Sequence, residues 1–165
     1  KIFMNTHLAG AAGCVTAAII TRLIGGRTDV VMMLNGALAG LVSITAEPLA
    51  PSPMLSIFIG SVGSLVMYFG TSLLNYLRLD DVVGAIPVHM FAGIWGTMIV
   101  ALSNKDTSLS IQMIGILSVC TFTFALSYLT FYIIKQLIGL RISSEAEKLG
   151  TDTVEIGVRA YAIRD

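Results

Sequence analysis

The sequence predicts an all-α membrane protein with five transmembrane helices followed by a polar tail. Hydrophobic residues make up 55% of the 165 residues, charged residues only 12%, and the mean hydropathy is +0.85. A soluble domain carries roughly 25% charged residues, so the composition excludes that class. Five apolar stretches come close to the length that a bilayer core about 30 Å thick requires of a helix. They cover residues 8–24, 30–46, 54–77, 82–102 and 109–138.

The five stretches differ in length and in their flanks. The first two contain 17 residues each, and neutral flanking residues allow both to extend. The third and fourth are long enough as they stand, and the fourth contains no Asp, Glu, Lys or Arg. The fifth is longer than one perpendicular crossing needs, so we expect it to tilt or to project from the membrane. Residues 1–138 are therefore predicted to form a transmembrane bundle and residues 139–165 a tail.

Lysine and arginine residues are divided unequally between the two predicted sides of the bundle. With five spans, Lys1 and Lys105 fall on one side and all the others on the side of the tail. The positive-inside rule then predicts that the tail is cytoplasmic and that the protein is a multi-pass protein of the cell membrane. The residues on the tail side are Arg22, Arg27, Arg78, Lys135, Arg141, Lys148, Arg159 and Arg164.

Composition and spacing exclude several classes of function. The net charge is zero and no basic run occurs, so the sequence lacks the electrostatic pattern of a nucleic-acid-binding protein. His, Cys, Asp and Glu do not cluster at metal-ligand spacing, so we expect no metal and no cofactor. The run from Gly60 to Ser64 misses the Gly-x-Ser-x-Gly spacing of a serine hydrolase. We therefore expect no enzymatic activity.

His89 is the most informative residue, because it lies in the uncharged fourth stretch. An ionisable side chain inside a bilayer is costly and indicates a substrate or proton pathway, although a core histidine bonded to a neighbouring helix is the alternative. Gly93 and Gly96 share its helix face, so either another helix packs closely there or a cavity opens beneath the ring. Pro87 removes a backbone donor and frees a carbonyl near Val83, which protein or water must satisfy.

Small and acidic residues predict helix packing and capping. Gly36 and Gly40 form a GxxxG pattern, which lets the backbones of two membrane helices approach closely. Asp80 and Asp81 precede the fourth stretch, where carboxylates cap a helix N-terminus and complement its dipole.

Several segments together resemble the ammonium transporter family, Amt/Mep/Rh. The resembling segments are residues 5–9, residues 35–46 beginning with Asn35, residues 80–89, residues 93–97 including Trp95, and the tail residues Arg141, Gly150, Asp152, Gly157 and Tyr161. Their order and spacing cover essentially the whole chain.

The resemblance implies that this chain corresponds to spans seven to eleven of an eleven-span fold whose members are homotrimers with one hydrophobic pore per subunit. It places His89 at the second of two paired pore histidines and, with Ala85, on the path of ammonium, ammonia or methylammonium. It also implies that the first pore histidine and the gate precede Lys1. The tail residues would be regulatory, but Gly157 begins a departure from the family pattern, which leaves a PII-type regulator as an open expectation.

Ammonium transport is the function that the resemblance predicts. A hydrophobic pore rejects a bare ion because desolvating a charge is costly. A neutral imidazole donates from one nitrogen and accepts at the other, so His89 and its missing partner would guide ammonia and relay the released proton. The alternative is a sensor of the same fold that signals through its cytoplasmic tail.

Overall fold

The computed structural model describes residues 1–160, which are helical through most of their length. The α-helices are α1 (Ile2–Gly25), α2 (Val30–Ile44), α3 (Pro53–Tyr76), α4 (Ala92–Ser103), α5 (Leu109–Leu137) and α6 (Ser144–Leu149). Two π-helical segments, Ile86–Phe91 and Asp152–Ile156, stand directly before α4 and after α6. The predicted class, an all-α membrane protein, is confirmed.

The chain divides into two compact units. The first is Lys1–Val119 and the second begins at Cys120, within α5. The predicted division into a transmembrane bundle (1–138) and a tail (139–165) refers to the membrane and stays a prediction. Helix α5 buries none of its residues.

Four helices among residues 1–160 are long and apolar enough to cross a membrane: α1, α3, the combined helix Ile86–Ser103, and α5. The remaining predicted span, the second one at residues 30–46, corresponds to α2, which has only 15 residues. At 1.5 Å per residue it extends about 22 Å, less than a bilayer core of about 30 Å. A complete crossing by α2 therefore stays a prediction.

Several helix ends differ from the predicted ones. α1 begins at Ile2 rather than at residue 8, so the polar flanking residues also belong to the helix. The Thr6 hydroxyl donates a hydrogen bond to the Ile2 carbonyl within it. α2 stops at Ile44, before the proline-rich loop of residues 47–53. The fourth helix begins near Ile86 rather than at residue 82, because residues 82–83 form a turn and Gly84 follows at φ +75°.

Capping residues explain where the other helices of the first unit begin. Asp29 accepts a hydrogen bond from the Met32 amide at 3.0 Å and starts α2. Ser52 accepts from the Leu55 amide at 3.2 Å, and Pro53 then occupies the first turn of α3, where its missing N–H costs nothing.

The core of the first unit is built from small and branched residues at the helix crossings. One cluster joins Ala9, Ile44, Ile59 and Ile99, which come from four different helices. A second cluster joins Ala39, Met67, Val88 and Ala92. Val88 belongs to the π-helical segment, so the turn that carries His89 is anchored in this second cluster.

Candidate functional site

His89 lies on the exposed side of the π-helical segment Ile86–Phe91, while Pro87 and Val88 of the same turn are buried. The imidazole makes no hydrogen bond to the other described residues. Ala85, one turn earlier, is exposed as well. The two predicted pathway residues thus share an open surface of the first unit.

The start of this helix is held by one of the two predicted capping carboxylates. Asp81 Oδ1 accepts a hydrogen bond from the Ala85 amide at 2.9 Å, and Asp81 Oδ2 accepts from the Ile86 amide at 2.8 Å. Asp80 is exposed and makes no side-chain hydrogen bond to the described residues. Asp81 alone therefore satisfies the two amides that open the helix.

Pro87 was predicted to free a carbonyl near Val83, but the helix begins after Val83, so this carbonyl lies in the preceding turn, where a protein side chain bonds to it. The Asn35 amide Nδ2, on α2, donates to the Val83 oxygen at 3.0 Å. Asn35, which the sequence indicated only as a structural residue, therefore ties α2 to the turn before His89.

The glycines that were predicted to pack helices differ in how closely another helix approaches them. A Cβ at Gly36 would lie 2.7 Å from the Gly13 carbonyl oxygen, and one at Gly40 would lie 3.3 Å from the Gly10 Cα, so α1 and α2 approach backbone to backbone. A Cβ at Gly96 would lie 2.8 Å from the Ser43 Cα of α2. The sequence left two alternatives for the helix face of His89, a closely packed helix or a cavity. At Gly96 the structure has a closely packed helix.

Gly93 does not take part in such a contact. A Cβ there would meet only the Val42 Cγ1 atom at 3.7 Å, which is ordinary van der Waals distance. The two glycines that follow His89 on its face therefore have different roles, although their spacing made them look alike.

Trp95 fastens α4 to α3. Its indole Nε1 donates to the Ile59 carbonyl at 3.0 Å, and its ring meets Phe58 edge-on with a centroid distance of 6.3 Å. Buried Ser43 adds a second link, because its hydroxyl lies 3.3 Å from the Ala92 carbonyl oxygen. The helix that carries His89 is thus joined by polar contacts to both α2 and α3.

Asn5 is a structural residue that the sequence did not single out. It is fully buried, and its Nδ2 donates to the carbonyls of Pro48 and Pro51, both at 2.9 Å. It thereby holds the proline-rich loop against α1. The available signal was its place in the first resembling segment, a polar amide ahead of an apolar run.

Of the predicted tail residues, Gly150, Asp152 and Gly157 lie close together along the chain in the second unit. Asp152 Oδ2 accepts a hydrogen bond from the Ala160 amide at 2.7 Å. Gly150 and Gly157 adopt φ of +93° and +75°, and a Cβ at Gly150 would lie 2.5 Å from Asp152 Oδ1. Arg141 is exposed, and Tyr161 lies outside the described residues.

Hydrogen bonding lowers the pKa of Asp152. The Ala160 amide is the main cause, the Thr153 amide adds to it, and the Arg159 charge contributes less, so the pKa lies below its ordinary value of 3.8. A carboxylate with a lowered folded-state pKa stabilises its turn above the unfolded-state pKa, and this contribution is lost as the pH falls through the folded-state value.

We expect the amide resonance of Ala160 to titrate with a midpoint below 3.8, because its acceptor is the Asp152 carboxylate. The measurement is a pH series of amide NMR spectra of the protein in detergent. Asp152→Asn should remove the transition, since the amide side chain does not ionise. A midpoint at or above 3.8 would contradict the assignment of the lowered pKa.

The fold and the uncharged helix around His89 define a multi-pass helical membrane protein. A family model described as the Ammonium Transporter Family matches residues 1–161. The chain belongs to this family, and the predicted resemblance is confirmed.

Individual relatives agree with the family match. The chain is 39% identical to the ammonium transporter Amt2 of Archaeoglobus fulgidus over 180 residues, covering 97% of this chain and 38% of that protein. It is 30% identical to an ammonium transporter of Bacillus subtilis, covering 96% of this chain and 43% of that protein. The chain thus spans about two-fifths of the length of these curated relatives.

Solved structures of the family have the same fold. A protein described as a Sensor Amt Protein superposes with a TM-score of 0.86 at 29% identity, covering 93% of this chain and 41% of its own. Mep2 of Saccharomyces cerevisiae superposes with a TM-score of 0.78 at 25% identity, covering 94% of this chain and 40% of its own.

Proposed function

We propose that the protein carrying this chain moves ammonium across the membrane and that His89 lies on the substrate path. The observation that carries the proposal is the state of His89 within a chain of this family. His89 is the only titratable side chain in the apolar stretch of residues 82–102, which contains no Asp, Glu, Lys or Arg. A polar ring in such surroundings is costly unless it serves a polar substrate.

The proposed mechanism depends on which chemical species an apolar path excludes. A bare monovalent cation loses too much hydration energy to enter it, whereas ammonia is neutral and small. Imidazole gains and loses a proton near neutral pH, and in its neutral form one nitrogen donates while the other accepts. His89 is therefore suited to accept a proton from ammonium and to hydrogen-bond the ammonia that remains. Potassium has no proton to release and is rejected.

Ala85 and the helix packing support this role for His89. The small side chain of Ala85 leaves the surface beside the imidazole open, and both residues are exposed. Asp81 and Asn35 bond to the start of this helix and to the turn before it, and Trp95 bonds to α3. The proposed path thus has a proton-accepting ring on a helix that is tied to other segments of the first unit.

Replacement of His89 by alanine is expected to abolish most of the ammonium-evoked current, because the path loses its proton acceptor. General acid–base groups contribute about 10²- to 10⁴-fold to the steps they assist. The measurement is the ammonium-evoked current of the protein expressed from its complete reading frame, with potassium as the competing ion. His7→Ala is the matched control, since His7 is also exposed and bonds only to the Phe3 carbonyl of its own helix. Unchanged ammonium current and selectivity in His89→Ala would overturn the proposal.

A sensor of the same fold is the second candidate, favoured by the superposition on the Sensor Amt Protein. A sensor would bind ammonium but carry little ammonium current even in the wild type. In a sensor, His89→Ala would therefore alter ammonium binding rather than current. The wild-type current therefore separates the two functions.

We further propose the setting in which the protein acts. The distribution of Lys and Arg supports a cytoplasmic tail and residence in the cell membrane. The family membership supports a homotrimer with ammonium or methylammonium as substrate, and the ordered turn around Asp152 is a candidate surface for a PII-type regulator.

A further inference from the structure

The contact between Asn35 and Val83 joins two residues that are 48 positions apart. Nδ2 of Asn35, on α2, donates to the Val83 carbonyl at 3.0 Å. Val83 lies just before the turn that begins the helix of His89. This hydrogen bond is therefore a direct tie between the body of the bundle and the support of His89.

The Val83 carbonyl lies outside the helix that carries His89. Residues 82–83 form a turn, Gly84 has a φ of +75°, and the Val88 amide donates to the Gly84 carbonyl at 3.2 Å. Pro87 lies in the first turn of the helix and has no N–H. Asn35 is therefore the donor that the described residues provide for this carbonyl.

Gly84 provides a second, independent observation at the same place. Its φ is +75°, which glycine adopts readily and residues with a side chain rarely do. A Cβ there would also lie 2.7 Å from Asn35 Nδ2. The backbone at residue 84 thus leaves room for the Asn35 amide, and the two features fit each other.

We propose that Asn35 is a positioning residue for His89. His89 makes no side-chain hydrogen bond to the described residues, so within them the backbone of Ile86–Phe91 alone sets where its ring lies. Asn35 fixes the entry to that backbone at Val83, while Asp81 fixes its first two amides. The inference rests on the proposed function of His89 and extends it to a residue on another helix.

The test uses the complete protein with Asn35→Ala. The change leaves the Val83 carbonyl without the Asn35 donor, and the maximal ammonium flux should fall about tenfold, as misplaced catalytic groups lose rate. No loss of flux overturns the inference.

Asn35→Asp and Asn75→Asp form a matched pair. The first places a carboxylate against the Val83 carbonyl and should reduce flux at least as strongly as Asn35→Ala. Asn75 is exposed near the end of α3 and makes no side-chain hydrogen bond to the described residues, so its replacement should leave flux unchanged. Equal flux in the two aspartate variants contradicts a positioning role.

Amide hydrogen exchange distinguishes failure of this inference from failure of the proposed function. In the purified protein, Asn35→Ala should raise several-fold the exchange rate of the peptide that contains the Ala85 and Ile86 amides, whether or not the protein conducts ammonium. Unchanged exchange overturns the role of Asn35. Absence of ammonium flux in the wild type overturns only the proposed function.

Discussion

Replacing Gly40 by alanine is expected to destabilise the bundle strongly. The added Cβ would lie 3.0 Å from the Ala9 carbonyl carbon and 3.3 Å from the Gly10 Cα, and nearer still to the Ala9 oxygen. These are backbone atoms of α1, so no side-chain rotation relieves the contact and the two helices must separate. Overpacking of a tight core costs about 1–3 kcal/mol, and here the core includes fully buried Ala9 and Ala39.

Gly93→Ala is the matched control for this prediction. Its Cβ would meet only the Val42 Cγ1 atom, at 3.7 Å. Alanine is favoured over glycine inside a helix by about 1 kcal/mol, so this variant should be as stable as the wild type or more so. The measurement is thermal unfolding of the detergent-purified protein, in which Gly40→Ala should lower Tm by about 5 °C or more. Equal Tm values for the two variants would contradict the close contact at Gly40.

The contrast between these glycines shows what the sequence could and could not predict. Spacing alone placed Gly93 and Gly96 on the face of His89, because helical periodicity fixes which residues share a face. It could not predict that α2 crosses at Gly96 and leaves Gly93 loose, because a crossing point depends on two helices. The same applies to α2 itself, whose composition resembles a span but whose helix ends at Ile44.

The candidate site also has some features that the sequence predicted and others that it did not. Pro87 predicted a carbonyl without a helical donor near Val83, but the sequence did not predict that the helix starts after Val83. The donor to this carbonyl could not be predicted either, because Asn35 is 48 residues away along the chain. The π-helical register of Ile86–Phe91 was also missed, since proline indicates a disturbed helix without indicating how it is accommodated. The sequence therefore predicted the local effects of single residues, but it did not predict the contacts between distant segments.

Asp80 and Asp81 were equivalent as predicted caps, and the structure makes them unequal. Replacing Asp81 by alanine is expected to cause a large loss of stability and of ammonium flux. Its two carboxylate oxygens accept the amides of Ala85 and Ile86 at 2.9 and 2.8 Å, and both amides would lose their acceptor. Losing a helix cap costs about 0.5–2 kcal/mol, and unpaired amides near the apolar region add to that cost.

Loss of the cap should also reduce transport, because Asp81 holds the beginning of the helix that carries His89. If the first turn loosens, the ring at residue 89 is no longer held in one place, and ammonium flux should fall about tenfold or more. Asp80→Ala should retain both wild-type flux and wild-type Tm, because the Asp80 carboxylate bonds to none of the described residues. Methylammonium uptake, normalised to the amount of protein in the membrane, and thermal unfolding are measured on both variants. Equal effects of the two substitutions on both measurements would show that general acidity before the helix matters, and not the two hydrogen bonds of Asp81.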